Sequence, residues 1–268
     1  GCSNADWVRW TLDLWRATGK LGYLEEAERA IVNGFALSQL ANGDFGHRSF
    51  APGGFQAGAE RAWWCCTLHG LRALADIRKQ AVRRSGSSVL VELPMAGEWE
   101  GFGSAGLLRV SLQQGDRELR VRAPEWAETV AVEGTGWEPA GEDGGYRIWR
   151  RANGSSREAA IRYRFRWRTQ ATPEGWLLWY GPWLMAVNEK NSPAFFDEPM
   201  DGNRLATLPD QGTAVVPGAA GYPQARIGFL QGGYGMQPAE AVLEPLAAGW
   251  QWSLAPQWRY AFRLQQSQ

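Results

Sequence analysis

The sequence predicts an α+β protein of more than one domain, with helices in its first third and antiparallel β-structure after them. Apolar residues recur at steps of three and four in three segments before residue 80, as they do on one face of a helix. After residue 85 the pattern changes to short runs that alternate apolar and polar residues between glycine-rich turns. The length of 268 residues allows one large domain or two to three small ones. The 33 glycines favour many turns and short strands.

Three helices account for the first part of the chain. They are predicted over residues 6–18, 23–40 and 66–79, and Gly19 is expected to end the first. The glutamates of the second helix, Glu28 among them, are predicted on its solvent side. The residues predicted to face the core are Trp7, Trp10, Leu14 and Ala17 in the first helix, and Leu68, Leu71, Leu74 and Ala75 in the third.

Between and after these helices the sequence favours loops and strands. Residues 42–58 contain five glycines and are predicted to be a long loop, a kind of segment that is often functional. The clearest strand spans residues 159–168, where apolar residues alternate with arginines, as in an antiparallel sandwich with one solvated face. Residues 175–187 are predicted to be a buried strand pair that turns at Gly181-Pro182, and only short strands are predicted beyond residue 191.

Charge and motif content exclude several classes of protein. There are 28 basic and 28 acidic residues, so the basic excess typical of a nucleic-acid binder is missing. No apolar run approaches the length of about 18 residues that a membrane-spanning helix needs. The motifs of serine hydrolases (G-x-S-x-G), of phosphate-binding loops (G-x-x-x-x-G-K) and of thermolysin-like proteases (H-E-x-x-H) do not occur.

The residues best suited to catalysis or metal binding are the three cysteines, Cys2, Cys65 and Cys66. Adjacent cysteines at the start of a helix are either inert packing or a pair of thiolates that the helix dipole stabilises. Three thiolates and one further ligand make a tetrahedral zinc site, but three unrelated buried cysteines would have the same spacing. His69 could be a ligand, a proton donor or a core histidine, and the last interpretation is preferred. The carboxylate pairs Glu98 with Glu100 and Glu25 with Glu26 are indistinguishable from surface charge.

Several segments, in the right order, carry a resemblance to a known family. They are Ala62-Trp63-Trp64-Cys65-Cys66, the E-R-x-x-x-N-G segment at 28–34, the sequence L-R-V-R-A-P-E-W-A at 119–127, and Y-G-P-W-L at 180–184. Together with Cys2 at the start of the helix pair, they resemble glycoside hydrolase family 127, the β-L-arabinofuranosidase-like enzymes. The resemblance implies the last helices of an (α/α)6 barrel followed by antiparallel β-sandwich domains. Its expected boundaries are 1–82 for the helices, 83–190 for a β-sandwich and 191–268 for a second, irregular β-rich domain.

The resemblance also implies a chemistry. Cys2, Cys65 and Cys66 would bind Zn²⁺ together with a glutamate, and Cys65 would be the nucleophile of a retaining glycoside hydrolase. The substrate would be a non-reducing-end furanoside such as a β-L-arabinofuranoside, cleaved through a thioglycosyl intermediate. The alternative is a non-catalytic carbohydrate-binding β-sandwich protein whose exposed tryptophans contact sugar.

The chain departs from the family pattern at the site. The glutamate ligand and the acid/base glutamate would both precede Gly1, so the chain is expected to be the C-terminal portion of a larger hydrolase that neither holds zinc tightly nor turns over substrate alone. Thr67-Leu68-His69 replaces the family's P-P-N and leaves the sugar open. A carbohydrate is the expected partner, without nucleic acid or membrane, and a homodimer through the β-domains is compatible with the fold. Free cysteines favour the cytoplasm over a secreted location.

Overall fold

The fold is β-rich, with few helices. The computed structural model describes residues 1–50, 56–58, 61–152, 157–197, 202–218, 221–232, 236–251 and 257–265. Helices lie in the first 81 residues, and most of the rest of the described chain is antiparallel sheet. Among the described residues no helix is both long enough and apolar enough to cross a bilayer.

The three predicted helices are present. They are α1 (Cys2–Thr18), α2 (Gly22–Ala30) and α3 (Trp64–Ala81), and α2 continues through a π-helical turn at Ile31–Phe35. Helix α1 starts four residues before its predicted start and ends, as predicted, at Gly19, which adopts a left-handed conformation with φ of 66°. A short link joins α1 to α2, and α1 packs against both other helices.

The predicted inner faces of α1 and α3 are wrong. Trp10 is 56% exposed and Leu68 is 54% exposed, and the rest of both predicted stripes is exposed or only half-buried. The buried faces contain other residues: Ala5, Val8, Thr11 and Leu12 in α1, and Cys66, Gly70, Ala73 and Ile77 in α3. Small residues among them, such as Ala5, Gly70 and Ala73, let the helices approach closely.

The prediction that Glu28 faces solvent is also wrong. Glu28 is 1% exposed and forms an ion pair with Arg122, itself 1% exposed. The backbone N–H of Met95 donates to Glu28 Oε1 at 2.9 Å, and Trp126 Nε1 donates to Oε2 at 2.7 Å. A charged pair can stay buried when its hydrogen bonds are satisfied in this way. The pair ties the helices to the β-structure.

Strands begin inside the segment predicted as a loop and continue through two facing sheets. β1 (Arg48–Phe50) and β2 (Gln56–Gly58) form a hairpin, while residues 51–55 of that predicted loop lie outside the described residues. The next strands are β3 (Val82–Ser85), β4 (Ser88–Val91), β5 (Glu98–Glu100), β6 (Ala105–Ser111), β7 (Glu118–Arg122), β8 (Ala127–Glu133), β9 (Trp137–Asp143), β10 (Tyr146–Arg151) and β11 (Glu158–Phe165). They form sheets in the orders β3-β4-β7-β10-β9 and β5-β6-β11-β8, antiparallel except between β4 and β7.

A nine-stranded sheet contains the remaining strands. They are β12 (Trp167–Thr172), β13 (Gly175–Tyr180), β14 (Trp183–Asn188), β15 (Arg204–Leu205), β16 (Val215–Pro217), β17 (Pro223–Gln231), β18 (Gln237–Pro245), β19 (Trp258–Arg259) and β20 (Ala261–Phe262). The predicted turn at Gly181-Pro182 joins β13 to β14. Strands β17 and β18 have nine residues each, longer than the short strands predicted there. Because β14 pairs with β18, this sheet takes strands from both sides of residue 190.

Two large apolar cores lie between these elements, and a third, small cluster contains Ala186, Leu246 and Trp258. The strand face predicted to be buried, Ile161, Tyr163, Phe165 and Trp167, is buried in the core that the sheets share. On the opposite face Arg162 and Arg164 are exposed and pair with glutamates, which confirms the solvated face there. A second core lies among the three helices and includes Cys66.

Candidate metal centre

Two helices bring the three cysteines together. Cys2 is the first residue of α1, and Cys65 and Cys66 are the second and third residues of α3. The helices run parallel, because positions along α1 pair in order with positions along α3: Cys2 with Cys66, Asp6 with His69, Arg9 with Asp76 and Arg16 with Gln80. The first turns of both helices therefore meet at one place, where the thiols lie.

The three sulfur atoms form a compact group. The Sγ atoms of Cys2 and Cys66 are 3.4 Å apart, those of Cys65 and Cys66 are 4.0 Å apart, and all three lie within 4.8 Å of one another. In a tetrahedral zinc site with Zn–S bonds of about 2.3 Å, the sulfurs are about 3.8 Å apart. Soft thiolates are the ligands that Zn²⁺ favours, so both the spacing and the donor chemistry fit zinc.

The thiols of Cys2 and Cys66 differ in their pKa values. Burial opposes ionisation of Cys66, but hydrogen bonds donated by the thiol and backbone of Cys2 lower the pKa of Cys66 on balance. Burial and the neighbouring thiols raise the pKa of Cys2 to about 12. Of these two thiols, Cys66 therefore loses its proton more readily than Cys2. The N-termini of α1 and α3 add positive potential that favours thiolates.

The cysteines also differ in access to solvent. Cys66 is buried in the helical core, whereas Cys2 and Cys65 are half-buried. A reagent or substrate approaching this group meets Cys65 or Cys2 before Cys66.

Neither histidine is a core residue. His69 is half-buried and its Nδ1 lies 2.8 Å from Asp6 Oδ1, so the interpretation of His69 as a core histidine is wrong. His47 received no role from the sequence, yet its Nε2 lies 3.5 Å from Cys66 Sγ. Its position, 18 residues before Cys65 in a glycine-rich segment, matches no spacing rule for metal ligands.

The carboxylates considered from the sequence lie elsewhere. Glu100 binds Arg109 on an exposed sheet face, and Glu25 binds the buried Arg122. Within the described part of the chain, no carboxylate oxygen joins the group of atoms that includes the three sulfurs.

Comparisons with known proteins identify the fold. No family model and no curated protein matches the chain. A GH127 β-L-arabinofuranosidase from Geobacillus stearothermophilus T6 superposes with a TM-score of 0.63 at 14% identity, over 96% of this chain and 49% of that one. Another GH127 β-arabinofuranosidase gives 0.63 at 13% identity, over 98% and 49%. A structure described as a glycoside hydrolase gives 0.66 at 13% identity, over 98% and 52%.

These similarities cover nearly all of this chain but only part of each enzyme. The chain spans about half the length of the solved structures that it matches. Identities of 13–14% establish the shared architecture rather than shared chemistry. The chain thus has the fold of about half of a GH127 β-L-arabinofuranosidase, with three thiols gathered where two of its helices begin.

Proposed function

We propose that the chain belongs to glycoside hydrolase family 127 and supplies the zinc–thiolate centre of a retaining hydrolase for non-reducing-end furanosides such as β-L-arabinofuranosides. One observation carries the proposal. Thiols 64 positions apart converge within 4.8 Å in a fold that β-L-arabinofuranosidases share. Unrelated core cysteines have no reason to meet in one group at two helix N-termini.

Cys2, Cys65 and Cys66 are the proposed zinc ligands, and Cys65 is the proposed nucleophile. When bound, zinc keeps these thiols deprotonated at neutral pH. The two adjacent cysteines differ in their access to solvent, because Cys65 is half-buried while Cys66 is buried in the helical core. A nucleophile has to reach the anomeric carbon, so Cys65 fits that role and Cys66 fits an anchoring one.

The proposed reaction has two displacements. The Cys65 sulfur forms a bond to the anomeric carbon as the bond from that carbon to the aglycone oxygen breaks, and an acid protonates the departing oxygen. Water then attacks the same carbon and frees the sulfur, so the sugar keeps its configuration. A thiolate shared with a cation is a weaker nucleophile than a free one, so substrate positioning must supply much of the rate.

We expect the 268-residue chain by itself to show little or no turnover. In the pattern that the family resemblance implies, the acid/base glutamate lies before Gly1. The test of the nucleophile therefore uses covalent labelling rather than turnover alone.

The experiment treats the zinc-loaded chain with an epoxide analogue of β-L-arabinofuranose and locates the adduct by mass spectrometry. We expect labelling at Cys65, slowed by excess arabinose, and lost in Cys65→Ser. An epoxide without the sugar ring is the matched reagent control. Hydrolysis of p-nitrophenyl β-L-arabinofuranoside and zinc content are measured on the same samples.

Two results would contradict the proposal. One is equal labelling of the three cysteines by the sugar and sugar-free epoxides, which indicates only general thiol reactivity. The other is the absence of zinc binding that depends on Cys2, Cys65 and Cys66.

The non-catalytic carbohydrate-binding module has less support. Among the described residues, the tryptophans that are exposed are Trp7, Trp10, Trp63 and Trp64. All of them lie on or next to helices rather than on a sheet face, and the β-structure buries tryptophans such as Trp126 and Trp183. A sandwich that binds sugar through an aromatic platform would expose those rings instead.

A further inference from the structure

The run of alternating arginines divides into two pairs with different surroundings. Arg162 and Arg164 in β11 are exposed and pair with glutamates. Arg166, which joins β11 to β12, and Arg168 in β12 are half-buried. A solvated sheet face therefore accounts for the first pair but not for the second.

Arg166 and Arg168 line a cavity of about 640 Å³ where strands β12 and β13 meet helix α2. Sites that bind small ligands usually have volumes of about 300–1,000 Å³. Arg29 of α2 and Glu125 also line the cavity, so among the described residues three arginines face one glutamate there. The whole chain has equal numbers of basic and acidic residues, so this positive excess belongs to the cavity.

The acidic partners present do not neutralise the three arginines. Arg29 pairs with Glu26. Arg168 Nη1 lies 3.7 Å from Glu125 Oε2, which is longer than a hydrogen bond, and the Glu125 side chain is 70% exposed. Exposed ion pairs contribute little to stability, so the carboxylate of a ligand can take the place of Glu125. Neither pair includes Arg166.

Hydrogen-bond donors remain unused beside this cavity. The Nε atoms of Arg166 and Arg168 are buried and have no hydrogen-bond partner within the described part of the chain. Buried donors are nearly always paired, so two unpaired ones in one lining indicate a ligand that accepts from them. Burial lowers the pKa of Arg168, and the charges of Arg166 and Arg29 lower it further, whereas Glu125 raises it. A bound anion relieves this repulsion between like charges.

An aromatic ring lies beside the arginines. Arg168 is opposite Trp179 in the pairing of β12 with β13, and its guanidinium carbon is 6.0 Å from the centroid of the Trp179 ring. Arg168 Nη2 donates to the carbonyl of Gly181 at 3.3 Å, which helps to orient the guanidinium. Trp179 is half-buried and also lines the cavity. An indole offers a flat apolar surface to the C–H face of a sugar, and a guanidinium fork matches a carboxylate.

We propose that this cavity binds an acidic saccharide, with its carboxylate held by Arg166 and Arg168 and its sugar ring against Trp179. The two Nε atoms are covered, so binding includes a rotation of each guanidinium toward the ligand. The choice of a saccharide rests on the proposed function, whereas the choice of an anion rests on the arginines. None of the three cysteines lines the cavity, so binding here does not need the metal centre.

Isothermal titration calorimetry on the 268-residue chain tests the proposal through binding alone. The probes are digalacturonate and galactobiose of the same linkage, in which hydroxymethyl groups replace the carboxylates. Inorganic phosphate is the anion without a sugar ring. We compare wild type with Arg166→Gln, Arg168→Lys and Trp179→Leu. Arg162→Gln is the matched control, because Arg162 is an exposed arginine of the same run.

We expect wild type and Arg162→Gln to bind digalacturonate equally, and to bind galactobiose and phosphate at least about tenfold more weakly. Arg166→Gln should weaken digalacturonate binding by about 10–100-fold, the loss that corresponds to a hydrogen bond to a charged group. Arg168→Lys keeps the charge but not the planar fork and should weaken binding by a smaller factor. Trp179→Leu should weaken digalacturonate binding and leave phosphate binding unchanged, which also shows that this variant keeps its fold.

Three results would overturn the proposal. If wild type does not bind digalacturonate, the cavity is not a site for an acidic saccharide. If phosphate binds as tightly as digalacturonate, the arginines form a simple anion site. If Arg162→Gln weakens binding as much as Arg166→Gln does, the attraction is general to exposed arginines. The epoxide labelling of the cysteines is independent of all three results, so failure of this inference is distinguishable from failure of the proposed function.

Discussion

The sheets of this protein bury their large apolar side chains in strands such as β11, whereas helices α1 and α3 leave most of theirs exposed. In β11 the large apolar residues Tyr163 and Phe165 point into the sandwich core, and Trp167 follows them there from the start of β12. In α1 and α3 most of the large ones, Trp10 and Leu71 among them, point outward. The buried faces of these helices combine alanine, glycine and cysteine with a few larger residues such as Leu12 and Ile77.

We attribute the difference to the distance between the packed elements. Stacked sheets are about 10 Å apart, which leaves room that only large side chains fill. Helices packed 8–10 Å axis to axis need small residues at their contact. The close approach of α1 and α3 also brings the thiols within reach of a single cation, so small-residue packing and the candidate centre have one cause.

Truncating the sheet core should have the largest effect. Phe165 contacts the rings of Trp126, Tyr180 and Trp183, and Phe165→Ala removes all of these contacts and leaves a cavity. We expect a loss of about 3–5 kcal/mol in the free energy of unfolding, measured by urea denaturation. Phe165→Leu is the control and should cost less. A loss under about 1 kcal/mol would show that the two cores do not differ as described.

Breaking the ion pair that joins helix to sheet should lower the free energy of unfolding by about 3 kcal/mol at neutral pH, because Arg122→Met leaves the carboxylate of Glu28 buried without its cation. Burial raises the pKa of Glu28, and Arg122 is the largest influence that lowers it, so the variant raises that pKa further. A raised carboxyl pKa means that the folded state holds its proton more tightly than the unfolded state does. The deficit against wild type should therefore be smallest at low pH and grow as pH rises through the folded-state pKa.

Unfolding measured from pH 5 to 8 checks this sign. The double variant Glu28→Gln/Arg122→Met removes the titrating group, so it should recover part of the stability and lose the pH-dependent deficit. A deficit in Arg122→Met that shrinks as pH rises would contradict the assignment.

Adding one methyl group to the helical contact should have an intermediate effect. A Cβ at Gly70 would overlap the ring of Phe45. Gly→Ala in an exposed helix interior normally stabilises by about 1 kcal/mol, but at Gly70 we expect a loss of about 1–3 kcal/mol from overpacking. Gly22→Ala in α2, where nothing lies within 4 Å of the added atom, should be neutral or stabilising. Thermal unfolding measures both variants. Equal effects at the two glycines would disprove the tight contact.

The smallest effect should come from an apolar residue on the outer stripe. Leu71 is 52% exposed, so Leu71→Gln should change the free energy of unfolding by no more than about 0.5 kcal/mol. Leu12→Ala on the buried face of α1 is the comparison and should cost about 2–5 kcal/mol. A loss above about 2 kcal/mol for Leu71→Gln, or one that depends on protein concentration, would mean that this stripe is covered in solution.

Strands are predictable from the sequence where one face is apolar and the other is charged. The alternation around Tyr163 identifies both the strand and its buried face, because a one-residue shift would place arginines in the core. Strand β9 has no such signal, because Pro139 and Gly141 are unfavourable in strands, although its place at the sheet edge tolerates them. In α1 two stripes have helical spacing, and periodicity alone does not say which one meets a neighbour.

At the candidate site, prediction from the sequence is limited by contacts between residues that are far apart along the chain. The inward position of Glu28 depends on Arg122, 94 residues away, which no local pattern contains. The grouping of Cys2 with Cys65 and Cys66 was expected from the family resemblance, and the positions of the sulfurs agree with it. His47 had no signal, since a lone histidine in a glycine-rich segment looks the same whether or not a thiol lies beside it.

The distance along the chain between Cys2 and Cys66 has a mechanical consequence. A cation held by both would close a loop of 64 residues, and a crosslink of that span removes about 4 kcal/mol of entropy from the unfolded chain in the simplest polymer estimate. The ion would then act as a removable crosslink across the whole helical region. Chelation would loosen that region before it disturbed the sheets, which have their own separate core.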